Sequence, residues 1–143
     1  MQETVQGTRN YNVNKVLTAK DVNRIARNSG SDALKDAPSW YRFLSYRSGE
    51  KFYGFIIDDT AFLFGSFAKK HFRIAEIAVE QKNQKKGYGS LMLSMLFEEC
   101  IKRGVYVVTL RTSKQESAYL WYQRLGAKIV GEKGEDYEMR FEI

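Results

Sequence analysis

The sequence predicts one α/β (α+β) domain spanning residues 1–143. Three observations carry that reading. RIAEIAV, Arg73–Val79, has the length and composition of a strand; a polar loop closing on Gly87-Tyr88-Gly89 follows, and then a long apolar segment runs to Lys102-Arg103-Gly104. Cations in a last turn and a glycine just beyond it are helix stop signals. The first half holds several short aromatic and β-branched runs separated by turn residues, the pattern of an antiparallel meander. The chain ends on Tyr137, Met139, Phe141 and Ile143 alternating with Glu138, Arg140 and Glu142, a half-buried strand with one wet face.

In order, residues 1–12 are polar and expected to fray, and Val13–Leu17 reads as a short first strand. Thr18 is placed to cap a helix with Asp21 in its first turn, and Val22, Ile25 and Ala26 repeat at helical spacing to about Asn28. Ala33–Lys35 reads as a helical turn, and Asp36-Ala37-Pro38, with the only proline, as a break. WYRFLSY, Trp40–Tyr46, reads as a strand by its aromatics and forms a hairpin with KFYGFII across Ser48-Gly49-Glu50. AFLFGSF, Ala61–Phe67, is the next strand. After Gly104, VYVVTL has the composition of a central strand. Ser113-Lys114-Gln115-Glu116 has the form of a capping box, so the late helix is expected to start there; Ala118, Trp121, Tyr122 and Leu125 give it an apolar face, and Gly126 closes it.

Composition narrows the class. A 43% hydrophobic and 28% charged chain is ordinary for a globular domain, and 143 residues suffice to close one core. One cysteine, Cys100, excludes an internal disulfide framework and reads as a small core residue of the long helix. No stretch reaches transmembrane length and Met1–Lys15 lacks an apolar signal core, so no membrane partner is expected and the expected location is the cytoplasm. A net charge of +6 favours anionic partners, yet the cations are dispersed and densest around Lys82, Lys85 and Lys86. That distribution fits steering of an anionic cofactor better than a nucleic-acid face. Nothing in the sequence implies a metal.

A strand, a glycine-bearing loop and a helix start together make an anion cradle, because the first helical N–H groups have no internal acceptors and the helix dipole is positive there. A Walker loop is absent, and Met92 stands where a dinucleotide fingerprint needs a third glycine. The motif present is Q-x-x-G-x-G, Gln84 to Gly89, five residues after Val79. It resembles the acetyl-CoA pyrophosphate loop of the GNAT acetyltransferase superfamily. A second block, Ala118 to Gly126, resembles that superfamily's late helix, with Ala118, Tyr122 and Gly126 in register. The likeness covers about residues 40–143. It implies the GNAT fold: a mixed central sheet with an antiparallel N-terminal meander, flanking helices and a C-terminal β-hairpin.

The same resemblance implies acetyl-CoA as cofactor, coenzyme A as product, and direct acetyl transfer to a primary amine. Ile77, Ala78 and Val79 would run along the thioester arm. Backbone N–H groups of Gln84, Lys85, Lys86, Gly87, Tyr88, Gly89 and Ser90 would meet the pyrophosphate, with Lys85 and Lys86 screening charge. Tyr122 matches the family's general acid, against its alternative as a packed helix tyrosine; Tyr119 lies one residue outside the matching register. Glu76 is the candidate base, against its alternative as a solvated or paired strand carboxylate. His71 reads as a surface residue. Three departures stand out: Gln115 where the family often has a pantetheine-contacting Asn, Ala127 where an aromatic is usual, and Gln81 where Pro is common. The acceptor stays open among an amine-bearing small molecule, a protein lysine or amino terminus, and an aminoacyl-tRNA, the one nucleic acid expected as a substrate. A homodimer fits families of this kind. The alternative function is a non-catalytic acyl-CoA-binding or protein-interaction domain with the same fold.

Overall fold

The computed structural model describes residues 2–5 and 9–143. Its strands are β1 (Gln2–Val5), β2 (Arg9–Asn14), β3 (Phe52–Ile57), β4 (Ala61–Ala68), β5 (His71–Val79), β6 (Val107–Ser113), β7 (Lys128–Lys133) and β8 (Asp136–Glu142). The helices are α1 (Ala19–Arg27), α2 (Ala37–Ser48), α3 (Tyr88–Lys102) and α4 (Ala118–Arg124). The strands form one sheet in the order β1-β2-β3-β4-β5-β6-β8-β7, antiparallel everywhere except between β5 and β6. The mixed sheet with an antiparallel first half and a C-terminal hairpin agrees with the expected fold class.

Two hydrophobic clusters lie on the two faces of the sheet. Along β4, Ala61, Leu63 and Phe67 enter one cluster with Leu91, Met92 and Leu96 of α3, whereas Phe62 and Phe64 enter the other with Val22 and Ile25 of α1. Strict alternation with both sets buried is the mark of a central strand covered by helices on both sides. Cys100 is buried on α3, and burial raises its thiol to about 11, so it is an inert core residue.

A β-bulge interrupts β5. Phe64 pairs with Glu76 but Gly65 pairs with Ile74, leaving Ala75 extra. The insertion shifts the phase of the strand: Phe72 and Ile74 before it, and Ile77 and Val79 after it, join the same α3-side cluster. The bulge crowds its neighbour, and a Cβ on Gly65 would come 2.1 Å from the Arg73 carbonyl oxygen. Only glycine fits there.

Four local expectations change. Trp40–Tyr46 is not a strand but the middle of α2. Pro38 sits in the first turn, where its missing N–H costs nothing, and Ala37, Tyr41 and Leu44 recur at helical spacing against Phe52 and Phe64. The aromatic composition points to a strand while the spacing specifies a helix. The first strand is Arg9–Asn14 rather than Val13–Leu17, and Leu17 is a buried side chain in the turn whose carbonyl takes the Tyr41 hydroxyl. Gln2–Val5 pairs with Arg9–Asn14 instead of fraying; residues 1 and 6–8 of that stretch lie outside the described residues. Ser113 does not cap the late helix. It is the last residue of β6, paired with Asp136, its hydroxyl accepts from Gln115 N–H, and α4 begins at Ala118. The Thr18 cap, by contrast, is present: its side chain accepts from Asp21 N–H.

Candidate active site

The site follows from how β5 and β6 part. They pair only at His71–Val107, Phe72–Val108 and Arg73–Thr109; beyond Arg73 no ladder joins them. Two parallel strands that stop pairing while each continues on its other edge open a wedge in the sheet. That wedge is a cleft of about 1260 Å³, walled by Ile74–Val79 of β5, Leu110–Ser113 of β6, and Trp121 and Tyr122 of α4. The loop 83–90 and the start of α3 lie at its mouth.

Gly87 sets the loop's exit. Its φ of +90° is left-handed, a conformation natural to glycine, and it turns the chain into α3. Leu91 N–H donates to the Gly87 carbonyl at 3.0 Å as the first helical bond, so the N–H groups of Gly89 and Ser90 have no acceptor within the helix. Both residues line the cleft. Gly89 has a second reason to be glycine: a Cβ there would sit 2.8 Å from two ring carbons of Trp121. Trp121 thus packs directly on the first turn of α3.

The rest of the loop is held from below by a network the sequence did not announce. Glu80 is buried and accepts from Asn28 Nδ2 at 2.8 Å, Thr60 Oγ1 at 2.9 Å and Arg24 Nη1 at 3.3 Å. Burial pushes its carboxyl up, but the Asn28 and Thr60 hydrogen bonds and the charges of Arg24 and Lys82 outweigh that and hold it below the usual carboxylate value. Gln81 N–H donates to the Asn28 carbonyl at 2.7 Å. Gln84 donates through Nε2 to the carbonyls of Ser29 at 2.8 Å and Val79 at 3.0 Å. The motif glutamine is therefore a clip between the loop, the end of β5 and the end of α1.

Gln84 N–H is already used, bonding the Gln81 carbonyl at 3.3 Å, which removes it from the expected set of anion donors. Of the three loop lysines, Lys85 lines the cleft; Lys86 reaches Asn83 at 2.9 Å, and Lys82 is exposed elsewhere. Tyr88 is buried, its hydroxyl bonded to Asp58 at 2.7 Å, so its side chain anchors α3 while its backbone stays at the helix start. Gln115 is exposed, donates to Glu135 at 3.1 Å and is not among the cleft-lining residues. Because α4 starts late, Ser117 and Ala118, and not Gln115, line this side of the cleft.

Ile77, Ala78 and Val79 line the cleft, and so do Glu76 and Tyr122. Tyr122 is buried between Trp121, at 4.9 Å centroid distance, and Phe141 at 6.4 Å. Its hydroxyl makes no hydrogen bond among the described residues, yet no sealed polar side-chain atom is left unpaired there, so the hydroxyl opens onto the cleft. Burial, and then the charge of Glu76, raise its pKa and keep it a phenol. Tyr119 turns instead toward Tyr137, 5.1 Å away, and does not line the cleft. Glu76 is half-buried at the bulge and in no ion pair among the described residues. Burial, with a smaller contribution from Asp36, pushes its carboxyl up to about 8. His71 starts β5 outside the cleft.

Before the bulge, Arg73 joins a charged triad whose two arginines line the cleft. Arg73 donates to both Glu138 oxygens, at 2.9 and 3.2 Å, and to Thr109 Oγ1 at 3.3 Å; Arg111 Nε donates to Glu138 at 3.0 Å. The Arg73 hydrogen bond, aided by Arg111 and opposed by burial, holds Glu138 below the usual carboxylate value, so it is ionised at neutral pH. Sequence alone could not find this triad, which spans three strands distant along the chain.

Residues 15–127 match the model of the acetyltransferase (GNAT) family. Among solved structures, a PaiA N-acetyltransferase from Thermoplasma acidophilum in complex with coenzyme A is 17% identical, with 93% of this chain and 99% of that one covered at a TM-score of 0.78. The ribosomal-protein-S18-alanine N-acetyltransferase from Escherichia coli is 19% identical over 93% of this chain and 94% of its own, TM-score 0.75. Ard1 from Thermoplasma volcanium is 18% identical over 93% and 97%, TM-score 0.72. A comparison with curated proteins finds no match.

Proposed function

This chain belongs to the acetyltransferase (GNAT) family, and from that premise we propose that it is an acetyl-CoA-dependent N-acetyltransferase acting on a primary amine. The observation that carries the reading is the wedge between β5 and β6 with the start of α3 at its mouth. The residues present fit the cofactor: first-turn amides of Gly89 and Ser90 without helical acceptors, a left-handed Gly87 and the cation of Lys85 meet a diphosphate, while Ile77, Ala78 and Val79 flank a linear arm. Bound acetyl-CoA supplies an activated acetyl thioester.

The chain's own groups do the rest. An acceptor ammonium must lose a proton before it is a nucleophile, and Glu76, raised to about 8, takes it in its ionised form, which grows as pH rises toward and past that value. Tyr122 keeps its proton across that range and donates it toward the departing sulfur. Trp121 and the pinned loop fix the donor's direction. The proposed setting is the cytoplasm, with small amines, protein amines and aminoacyl-tRNA as acceptor classes.

The test is thiol release from acetyl-CoA in the presence of peptide, polyamine, aminoglycoside and charged-tRNA acceptors. Acceptor-dependent release is expected. Saturable coenzyme binding with no release on any acceptor would make the chain a non-catalytic acyl-CoA-binding domain instead.

A further inference from the structure

We propose that the acceptor carries a carboxylate a few bonds from its reacting amine, and that Arg73 and Arg111 select for it. The inference rests on the transferase reading and assigns the acceptor class of the same cleft.

Both arginines line the cleft on the face of the sheet away from α3. The strand pattern places them there. In β6, Val108 and Leu110 are buried in the α3-side cluster, so Thr109 and Arg111 face the other way; in β8, Met139 and Phe141 do the same and leave Glu138 opposite. None of Thr109, Arg111, Glu138 and Arg140 on that face is buried. Trp40 and Leu44 of α2 line the cleft as well.

Arg73 and Arg111 share the carboxylate of Glu138, and Asp136 stands two residues before it on the same face of β8. Arg73 spends Nη1 and Nη2 on Glu138 and Thr109 and adds its positive charge to the site. Arg111 bonds only through Nε, so its two terminal nitrogens have no acceptor among the described residues. A guanidinium held by one nitrogen, with its outer donors open to a cleft, is arranged to take a second carboxylate. Glu116 and Asp136 also line the cleft, and Glu116 accepts from the Ser31 hydroxyl at 3.2 Å.

The position relative to the chemistry sets the distance. The strands run parallel with Thr109 level with Arg73, so Arg111 stands level with Ala75, next to Glu76, across the opened wedge. An anion on the outer nitrogens of Arg111 then lies a few bonds from an amine beside Glu76. Free amino acids meet the requirement, as do peptides with an acidic residue at or next to the amino terminus.

The experiment uses matched acceptors with the full chain: glutamate against its diamide, and peptides beginning Asp-Ala against Asn-Ala. Thiol release gives kcat and KM, and calorimetry on the protein saturated with coenzyme A gives acceptor affinity. The carboxylate member of at least one pair is expected to win by about tenfold or more in kcat/KM, through KM. The pair that shows it separates a free amino acid from a peptide. Arg111→Gln should erase that preference while leaving the amide member and coenzyme A affinity within about twofold, and Arg111→Lys should restore part of it. Equal performance of both members in the wild type, or an equal loss for both in Arg111→Gln, would overturn the inference and leave the triad as a brace. If no acceptor releases thiol, the transferase reading falls, and calorimetry still decides: carboxylate-selective binding lost in Arg111→Gln sustains the anion site, and unselective or absent binding ends it.

Discussion

Trp121 lies so close to Gly89 that a single added carbon would approach its ring to 2.8 Å. The helix that bears the candidate acid is thereby docked on the turn whose amides face the cleft mouth. Gly89→Ala should force the ring or the turn aside. An overpacking cost of about 1–2 kcal/mol and a loss of coenzyme A affinity of about tenfold are expected. In a Trp121→Ala background the same substitution should cost little, because the two residues share one space; calorimetric affinity and thermal melts of the four variants give the coupling. Additive effects would refute the contact.

Tyr122→Phe removes one hydroxyl that opens on the cleft and leaves the ring packing on Trp121 and Phe141 intact. Turnover should fall on the order of a hundredfold while the acetyl-CoA KM changes little. Full turnover under chemistry-limited conditions would return Tyr122 to a packing role. Tyr119→Phe should be nearly silent.

Glu76 predicts both a rate profile and a stability slope. Its carboxyl sits at about 8, so the active ionised form grows as pH rises and kcat/KM should climb to a plateau above that value. Glu76→Gln should lose that acidic limb along with most activity. For stability the sign is opposite. The folded pKa lies above the unfolded one, so between about 4.5 and 8 the unfolded chain binds fewer protons and stability falls with pH, by up to about 1.4 kcal/mol per unit from this group. Denaturant titrations should show Glu76→Gln flattening the curve and gaining on wild type at alkaline pH.

Glu80 behaves the other way. Its lowered carboxyl contributes stability above its unfolded value near 4.5, and that contribution is lost as pH falls through the folded one. Glu80→Gln cannot accept from Asn28, Thr60 and Arg24 as the carboxylate does. A cost of about 2–3 kcal/mol is expected at pH 7 and less near pH 4, together with a slower coenzyme A on-rate from a loosened loop. Hydrogen exchange at Gln81–Gly87 reads the loosening directly.

The legible parts of this chain were those written in local patterns. The Thr18 cap, the helix ending at Lys102-Arg103-Gly104 and the alternation of β8 each need only neighbours in sequence, and each stands as read. Trp40–Tyr46 misled because bulky aromatics favour strands on average, while the helix is decided by Ala37, Tyr41 and Leu44 meeting Phe52 and Phe64 across the fold. Ser113–Glu116 misled for a related reason: a capping box competes with strand pairing, and the partner, Asp136, lies beyond the helix. Gln84 was found by its motif but its work was not, since the carbonyl of Ser29 comes near it only when α1 packs against the end of β5. The Glu80 network and the Arg73–Glu138–Arg111 triad join residues dozens of positions apart, and no short-range signal announces them.

The extra residue at Ala75 divides β5 into two stretches whose outward and inward positions are out of step. On the proposed reading, changes of side chain before the kink would retune the acceptor side without rotating anything after it, and the reverse would hold for the stretch on the donor side. One strand thus behaves as two independent modules joined at Glu76, and removing Ala75 would merge them, swinging the residues beyond it onto the wrong faces.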